Sequence, residues 1–390
     1  MKKIPWQDQI LMIPGPTPVS SQALLAAAQP MMNHRSSDFK KMMEEIESGL
    51  KQVFQTQSSV MVLTTSGTGA MEACIVNLLS PGDKILACPN GVFGERFIKI
   101  AKAYQANVEI LESPLGQGVD PEKLKNRLKE DSKQEFKAIL ITHNETSTGV
   151  ENNLKLLSSA RGNHPALMVV DSVSALGASE LKMDEWKLDA VASASQKALM
   201  APPGLAFVAF SERAWEAAKS SKMPKFYFDL SMAREFQSKG ETPFTPALPV
   251  LYALQVSLRS LMDEGLDSSF SRHKRMAELI QTSLGKMGLK LFAHPEYRSK
   301  TLTTIEIPAG VDVKKLREMM RNQYGIMIAG GQGSLTDKIF RIGHMGCVGE
   351  KELLYTISSL GKTLQELGFN ANTQEALKPF EASSLASIHH

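Results

Sequence analysis

Cysteine is scarce in this chain, and its few cysteines are widely separated. There are three, Cys74, Cys88 and Cys347, and no Cys-x-x-Cys spacing occurs. This distribution argues against a disulfide framework, a cysteine-rich zinc site or an iron–sulfur cluster. No histidine pair has the HxH or HxxxH spacing of metal ligands, so we expect no metal site. Free thiols without a framework favour a reducing compartment, and we therefore predict a cytoplasmic protein.

A charge excess and long apolar runs are also missing. Lysine and arginine total 44 against 41 aspartate and glutamate, which gives a formal net charge of +3. This balance is too small for a dedicated nucleic-acid binder. No apolar run is long enough to span a membrane. Lys2 and Lys3 resemble the start of a signal peptide, but Pro5 and Asp8 interrupt any apolar core. The polar end, 383–390, is either a frayed tail or the start of a purification tag.

Short apolar runs alternate with amphipathic runs through the first half of the chain. The apolar runs are β-branched or continuously apolar, as expected of strands that are buried on both faces. They lie at residues 60–64, 84–88, 108–111, 138–142, 167–170, 190–194 and 205–210. Helical stretches lie at residues 70–79, 94–104, 121–129 and 154–161. This alternation predicts an α/β fold in which helices cover a mostly parallel sheet.

The pattern changes after about residue 250. Two long helical stretches, 251–262 and 273–287, are followed by strand candidates at 290–292, 301–307 and 339–342 and a helix candidate at 313–323. This pattern predicts a smaller α+β unit. The chain has 390 residues, so two units are expected. We predict an extended N-terminal arm (1–30), a large domain (31–250), a small C-terminal domain (251–375) and a tail (376–390). The proline-rich segment 243–249 is the predicted joint between the two domains.

Residues 64–69, with the sequence TTSGTG, lie between a predicted strand and a predicted helix. Their small side chains let the backbone approach a ligand, and free N–H groups at a helix start attract anions. The segment lacks the Gly-Lys-Ser/Thr ending of a P-loop and the GxGxxG pattern. A Ser/Thr helix cap between glycine turns is an equal alternative.

Three charged residues are unusual for their positions. Asp171 directly follows the apolar run 166–170, where α/β folds bind ligands; helix capping is the alternative. Lys197 has no charged residue within seven positions on either side, which favours a partly buried lysine that can form a Schiff base. Arg341 leaves an apolar strand beside glycines. It suits either a bidentate carboxylate contact or a solvent-exposed strand edge.

Together these features match the needs of pyridoxal phosphate, which requires a Schiff-base lysine, a carboxylate on the pyridine nitrogen and an anion site. The sequence resembles the class V aminotransferases, nearest to the alanine–glyoxylate and serine–glyoxylate (serine–pyruvate) branch. The resemblance covers about residues 10–370. It rests on PGPT at 14–17, SGTGAME at 66–72, NGVFG at 90–94, THNETSTG at 142–149, VDSVS at 170–174, SQKA at 195–198 and RIG at 341–343.

The resemblance implies a fold type I enzyme with pyridoxal 5′-phosphate as cofactor. It assigns Lys197 to the covalent cofactor bond and to proton transfer. Asp171 would keep the ring nitrogen protonated. The residues that it assigns to the phosphate are Ser66, Gly67, Thr68 and Gln196.

Five further residues are matched to the ring, the substrate and the subunit contact. Thr146 would touch the hydroxyl side of the ring, and Phe93 would stack on the ring where many relatives have Trp. Thr245 would reach the phosphate of the partner subunit, which implies a homodimer with shared active sites. Arg341 and the backbone around Gly15 would hold the substrate carboxylate.

The implied reaction moves an amino group from alanine or serine to glyoxylate or pyruvate by a ping-pong mechanism. A dicarboxylate would need a second cation aimed at its far end. We expect neither Lys84 nor Arg96 to adjoin a site residue, which leaves Arg35 as the one cation able to overturn this specificity.

Three other functions stay open at this stage. A 2-aminoethylphosphonate aminotransferase would need a phosphonate site, for which Arg35 is available. A cysteine desulfurase or another lyase would need a nucleophilic cysteine on a mobile loop, and Cys347 is not placed where such enzymes carry it. Some relatives are named soluble hydrogenase small subunit, but the complete set of site residues argues against a non-catalytic subunit.

Overall fold

A computed structural model of the chain describes residues 9–386, with side chains described as far as residue 381. The predictions for residues 1–8 and for His389-His390 lie outside the described residues. In the described part, no helix combines the length and the apolar character that crossing a membrane requires.

The strands and helices of residues 9–386 alternate along most of the chain. The strands are β1 (Ile10–Met12), β2 (Val60–Leu63), β3 (Lys84–Cys88), β4 (Asn107–Ile110), β5 (Ala138–Thr142), β6 (Asn144–Glu145), β7 (Val150–Glu151), β8 (Leu167–Asp171), β9 (Ala190–Ala194), β10 (Ala206–Phe210), β11 (Leu302–Glu306), β12 (Ile326–Gly330) and β13 (Ile339–Gly343). The α-helices are α1 (Ser21–Ala27), α2 (Ser37–Phe54), α3 (Gly67–Leu78), α4 (Val92–Ala103), α5 (Pro121–Glu130), α6 (Leu154–Arg161), α7 (Glu212–Ser220), α8 (Leu230–Gln237), α9 (Leu248–Glu264), α10 (Leu266–Lys286), α11 (Val313–Tyr324), α12 (Glu350–Glu366) and α13 (Thr373–Ala386).

Seven strands form the large sheet in the order β2-β10-β9-β8-β5-β3-β4. Neighbouring strands are parallel except at β10, which is antiparallel to both β2 and β9. No helix separates β9 from β10, and a parallel crossover needs one, so the chain returns antiparallel. The predicted α/β class with a mostly parallel sheet is confirmed.

Both faces of the large sheet are covered by apolar layers. Leu86 and Ile139 face a layer that includes buried residues of α2 and α9. Their strand neighbours Ile85 and Leu140 face the opposite layer, which is built from α3, α4 and α7. This double burial explains why the strands read as continuous apolar runs in the sequence.

A second sheet of four strands, in the order β1-β12-β13-β11, lies in the C-terminal half. Its edge strand β1 comes from the N-terminal segment and pairs in parallel with β12, with Ile10 opposite Ile326. Strand β12 was not expected from the sequence, and residues 290–292 form only an isolated bridge between Leu291 and Ile305. Helix α13 packs against α10 and α12 with Ala376 buried, so packing continues past residue 375.

Gly343 is the point at which this second sheet contacts the N-terminal segment. A Cβ atom at Gly343 would lie 2.1 Å from the carbonyl oxygen of Ile13 and 2.9 Å from the backbone nitrogen of Pro14. Both neighbours are backbone atoms, so a side chain would displace the segment itself.

We predict that Gly343→Ala destabilises the chain by about 2 kcal/mol, the cost of overpacking a close contact. Denaturant unfolding followed by circular dichroism measures the difference. Gly285→Ala in α10 is the matched control, because a Cβ there meets no atom within 4 Å and alanine favours a helix. Equal stability of the two variants would contradict this packing.

Candidate active site

The candidate site lies at the carboxyl edge of the large sheet. Strands β3, β5, β8 and β9 are parallel, so their last residues meet at one edge. Asp171 ends β8 opposite Thr142, which ends β5, and Lys197 follows the end of β9. Ligands of open α/β sheets bind at this edge.

The start of α3 supplies an anion cradle. Ser66 is the N-cap residue, but its side chain caps no backbone N–H group, so the first donors of the helix stay available. A Cβ atom on Gly67 would lie 2.7 Å from Cγ2 of Val173, and one on Gly69 would lie 2.1 Å from Oγ1 of Thr65. These contacts require glycine at both positions, and they keep the helix start close to the residues that follow Asp171.

Lys197 is enclosed by the N-terminal segment. Its Nζ donates a hydrogen bond of 2.5 Å to the carbonyl oxygen of Pro14. A Cβ on Gly15, whose φ is +128°, would lie 2.5 Å from the same Nζ, so only glycine fits over the amine. The Thr17 hydroxyl donates to the Lys197 carbonyl at 2.9 Å, and the backbone N–H of Thr17 donates to the carbonyl of Gln196. Burial lowers the pKa of Lys197 to about 8, and the charge of Asp171 opposes this effect.

Asp171 is buried, with 3% of its surface exposed. Its Oδ1 accepts a hydrogen bond of 2.9 Å from the backbone N–H of Val173. Burial raises the pKa of Asp171 to about 6 and the Glu145 charge adds to this, whereas the Val173 bond and Lys197 lower it. A cationic partner would restore the ionised form, as a protonated ring nitrogen does.

Arg341 lies on β13, between β12 and β11, and is 5% exposed. It is therefore not a solvent-exposed edge residue. Its guanidinium donates to the carbonyls of Gly330 at 2.8 Å and Thr146 at 2.9 Å, and to Oε1 of Gln332 at 3.3 Å. Burial lowers the pKa of Arg341 to about 10. No carboxylate of the described residues forms an ion pair with it, so it can bind the carboxylate of a ligand.

Glu145 is a site residue that the sequence analysis missed. Its buried carboxylate accepts hydrogen bonds from the backbone N–H groups of Phe93 at 2.9 Å and Gly94 at 3.0 Å. It also accepts from the Ser147 hydroxyl at 2.6 Å. Glu145 thus fixes the start of α4, and with it Phe93, to the loop that carries Thr146. Its place just after the end of β5, like that of Asp171 at the end of β8, was the available sequence signal.

Arg96 is the second missed residue. Its Nη1 donates to Oγ1 of Thr68 at 3.2 Å, and its guanidinium carbon lies 4.6 Å from the centre of the Phe93 ring. The expectation that Arg96 adjoins no predicted site residue is therefore wrong. The spacing of three residues between Phe93 and Arg96 on one helix was the signal, because such residues share a face.

Two predicted residues lie apart from the Lys197 cluster within one chain. Thr245 is exposed in the loop before α9, and among the described residues it forms no hydrogen bond with the cluster. Arg35 pairs with Glu241 at 3.1 Å and donates to the carbonyl of Thr242 at 2.8 Å. The charge of Arg35 is thus already compensated.

Comparison with known proteins agrees with this geometry. The sequence profile described as aminotransferase class-V matches residues 20–347. A relative named soluble hydrogenase 42 kDa subunit, from Anabaena cylindrica, is 46% identical over 92% of this chain and 94% of its own length. L-aspartate–glyoxylate aminotransferase from Paracoccus denitrificans is 35% identical over 92% of this chain and 91% of its own length.

The crystal structure of alanine–glyoxylate aminotransferase from Nostoc sp. is 31% identical, has a TM-score of 0.89, and is matched over 93% of this chain and 97% of that one. The predicted family resemblance and fold type I architecture are confirmed.

The cofactor of this fold is pyridoxal 5′-phosphate, and the residues present fit it. A partly neutral amine, a buried carboxylate and an uncapped helix start match its aldehyde, ring nitrogen and phosphate. The side-chain Oε1 of Gln196 is buried without a hydrogen-bond partner among the described residues, next to Lys197. This orphaned amide is consistent with a polar ligand in the site.

The pKa of about 8 predicts how fast the Lys197 amine reacts in the cofactor-free chain. Labelling by acetic anhydride, mapped by mass spectrometry, should be half-maximal near pH 8, because only the neutral amine is nucleophilic. Asp171→Asn should move the midpoint to lower pH, since the Asp171 charge raises the pKa of Lys197. Arg341→Gln should move it to higher pH, since the Arg341 charge lowers that pKa.

Exposed Lys222 serves as the internal reference for reagent activity. Shifts of the same sign in both variants would contradict the arrangement.

Proposed function

This chain belongs to the class V aminotransferases, and from that premise we propose that it transfers an amino group from alanine or serine to a small 2-oxo acid, glyoxylate or pyruvate. The observation that carries the proposal is the grouping of one acid, one amine and one unpaired arginine. The charges of Asp171 and Arg341 both act on the Lys197 amine, at the carboxyl edge of the sheet. The named relatives share glyoxylate but differ in the donor, which is aspartate in one and alanine in the other.

The bound cofactor supplies an electron sink for the α-carbon of the substrate. Lys197 holds the cofactor and afterwards moves the proton, because burial keeps much of its amine neutral near pH 8. Asp171 keeps the proton on the ring nitrogen, and the contact with Val173 fixes the orientation of its carboxylate. Arg341 would bind the substrate carboxylate through Nη2, which makes no hydrogen bond among the described residues.

The remaining assigned residues position the cofactor. Phe93 would stack on the ring, and its backbone is held by Glu145. Thr146 would contact the hydroxyl side of the ring, and its carbonyl accepts a hydrogen bond from Arg341. We assign the phosphate to Ser66, Gly67, Thr68 and Gln196, and the approach of the substrate carboxylate to the backbone at Gly15.

A small neutral donor is favoured by the distribution of cations. Arg341 balances one carboxylate. Arg96 contacts Thr68 and Phe93, at the end of the site assigned to the phosphate, and Arg35 is paired with Glu241. Arg317 is close enough for its charge to affect the pKa of Arg341, and its Nε donates to the carbonyl of Ile328. A second substrate carboxylate that does not reach Arg317 would be buried without a counter-charge, at a cost of several kcal/mol.

A cysteine desulfurase is disfavoured by the environment of the thiols. Cys74 and Cys88 are buried, and burial raises the pKa of Cys88 to about 12, so both stay unreactive. Burial also raises the pKa of the Cys347 thiol, although its residue is exposed overall. The hydrogenase name belongs to the Anabaena relative, and the charged groups described here support amino transfer.

We further assign the chain to a cytoplasmic homodimer whose active sites are shared. Thr245 lies beside the aromatic residues Tyr227 and Phe244, whose rings stack at 5.1 Å. Phe226 extends this apolar surface and is 74% exposed. An exposed aromatic surface of this kind is typical of an interface, and it would present Thr245 to the partner subunit.

The donor and acceptor are tested by kcat/KM. Alanine, serine, aspartate, glutamate and 2-aminoethylphosphonate are each paired with glyoxylate, pyruvate and 2-oxoglutarate. We expect alanine or serine with glyoxylate to exceed glutamate at least about 100-fold, because an unpaired buried carboxylate is rejected strongly. Efficient turnover of the dicarboxylates or of the phosphonate would refute the small-substrate assignment. Loss of that turnover in Arg35→Ala would then identify the responsible cation.

The shared site is tested by mixing two inactive chains. Lys197→Ala removes the amine, and Thr245→Asp places a negative charge where the partner's phosphate is assigned. Random reassembly should restore about a quarter of wild-type activity, because half of the dimers are mixed and each holds one intact site. Thr245→Ser, which keeps the hydroxyl, is the control and should stay active. No recovery in verified mixed dimers would assign the whole site to one chain.

A further inference from the structure

Arg96 is a cation at the edge of the site, close enough for its charge to lower the pKa of Asp171. It lies on α4, one turn after Phe93, and is half-buried. Among the described residues its one hydrogen bond goes to Thr68, and its guanidinium covers the Phe93 ring. Among the described residues no carboxylate forms an ion pair with it. A partly desolvated guanidinium with most of its five donors unused favours an anion close by.

Thr68 indicates where that anion binds. A hydroxyl has one donor and two acceptor positions, and Arg96 occupies one acceptor position of Oγ1. The Thr68 proton is then free to point towards a second acceptor. Thr68 is the second residue of α3, whose first N–H groups are not capped by a side chain. An anion at this helix start would meet the N–H groups, the hydroxyl and the guanidinium together.

We propose that Arg96 is the counter-charge of the cofactor's phosphate and positions it through Thr68 while supporting Phe93 from its ring face. The assignment rests on the phosphate position given under the proposed function. The same guanidinium contacts Thr68, which is assigned to the phosphate, and Phe93, which is assigned to ring stacking. One side chain would therefore serve both positions. Arg96 is therefore a positioning residue and is unavailable to a second substrate carboxylate.

The test compares pyridoxal 5′-phosphate with pyridoxal, which has the same ring and aldehyde but no phosphate. Full-length chain is freed of cofactor, and the affinity for each compound is measured by absorbance without any amino acid. Arg96→Gln should weaken binding of the phosphate compound at least about tenfold, because a charge-assisted contact is lost. Binding of pyridoxal should weaken much less, because it loses the support of Phe93 but no phosphate contact. Arg96→Lys should fall between Arg96→Gln and wild type.

Lys99→Gln is the matched control, because it removes one positive charge from the exposed face of the same helix. It should leave both affinities unchanged. Equal weakening of both compounds by Arg96→Gln would overturn the proposal in favour of a purely packing role at Phe93. Unchanged affinity for the phosphate compound would also overturn it.

A second readout uses the holoenzyme and does not depend on turnover. The phosphorus NMR shift of bound cofactor reports the charge of the phosphate, whose second pKa is about 6 in free phosphate esters. A neighbouring guanidinium favours the dianion, so Arg96→Gln should move protonation to higher pH than in wild type. An unchanged titration would contradict a direct charge contact. Neither readout involves an amino acid. The Arg96 result would therefore stand if the donor assignment failed, and the donor assignment would stand if the Arg96 result failed.

Discussion

The structure depends on the contact between the Lys197 amine and the N-terminal segment. Nζ of Lys197 bonds to the carbonyl of Pro14, and Gly15 passes over it with no room for a side chain. The same segment begins as the edge strand β1 of the second sheet and passes close to Gly343. The amine is therefore enclosed only when the two sheets are correctly placed, and this couples the folding of the C-terminal half to the reactivity of Lys197.

Burial sets the electrostatics of this enclosed site. It brings the pKa of Lys197 down to about 8, that of Arg341 down to about 10, and that of Asp171 up to about 6. Each shift reflects a charge that has lost water without gaining a full counter-charge. A ligand that brings an aldehyde, a ring cation, a phosphate and a carboxylate would compensate these groups in turn. The site is thus built for a cofactor and a substrate together, and a single small molecule would leave some of the charges unpaired.

Phe93, the residue proposed to stack on the cofactor ring, is contacted by both Glu145 and Arg96. Glu145 fixes the backbone of Phe93 at the start of α4, and the Arg96 guanidinium lies over its ring. Phenylalanine has a smaller stacking surface than tryptophan. A side chain anchored at both backbone and ring loses less entropy on binding, so this anchoring would favour the stacking contact proposed for Phe93.

Local patterns in the sequence predicted the α/β class, most strand positions and the site residues Asp171, Lys197 and Arg341. Strands buried on both faces must be continuously apolar, and a lysine in a charge-free stretch or an acid at a strand end is visible locally. The pairing of β1 with β12, the antiparallel course of β10 and the contacts of Glu145 with the start of α4 and of Arg96 with Thr68 appear only in the folded chain. These features depend on which distant segments meet. Neither the spacing of apolar residues nor a local motif encodes such long-range contacts, because they are set when the two sheets pack against each other around Lys197.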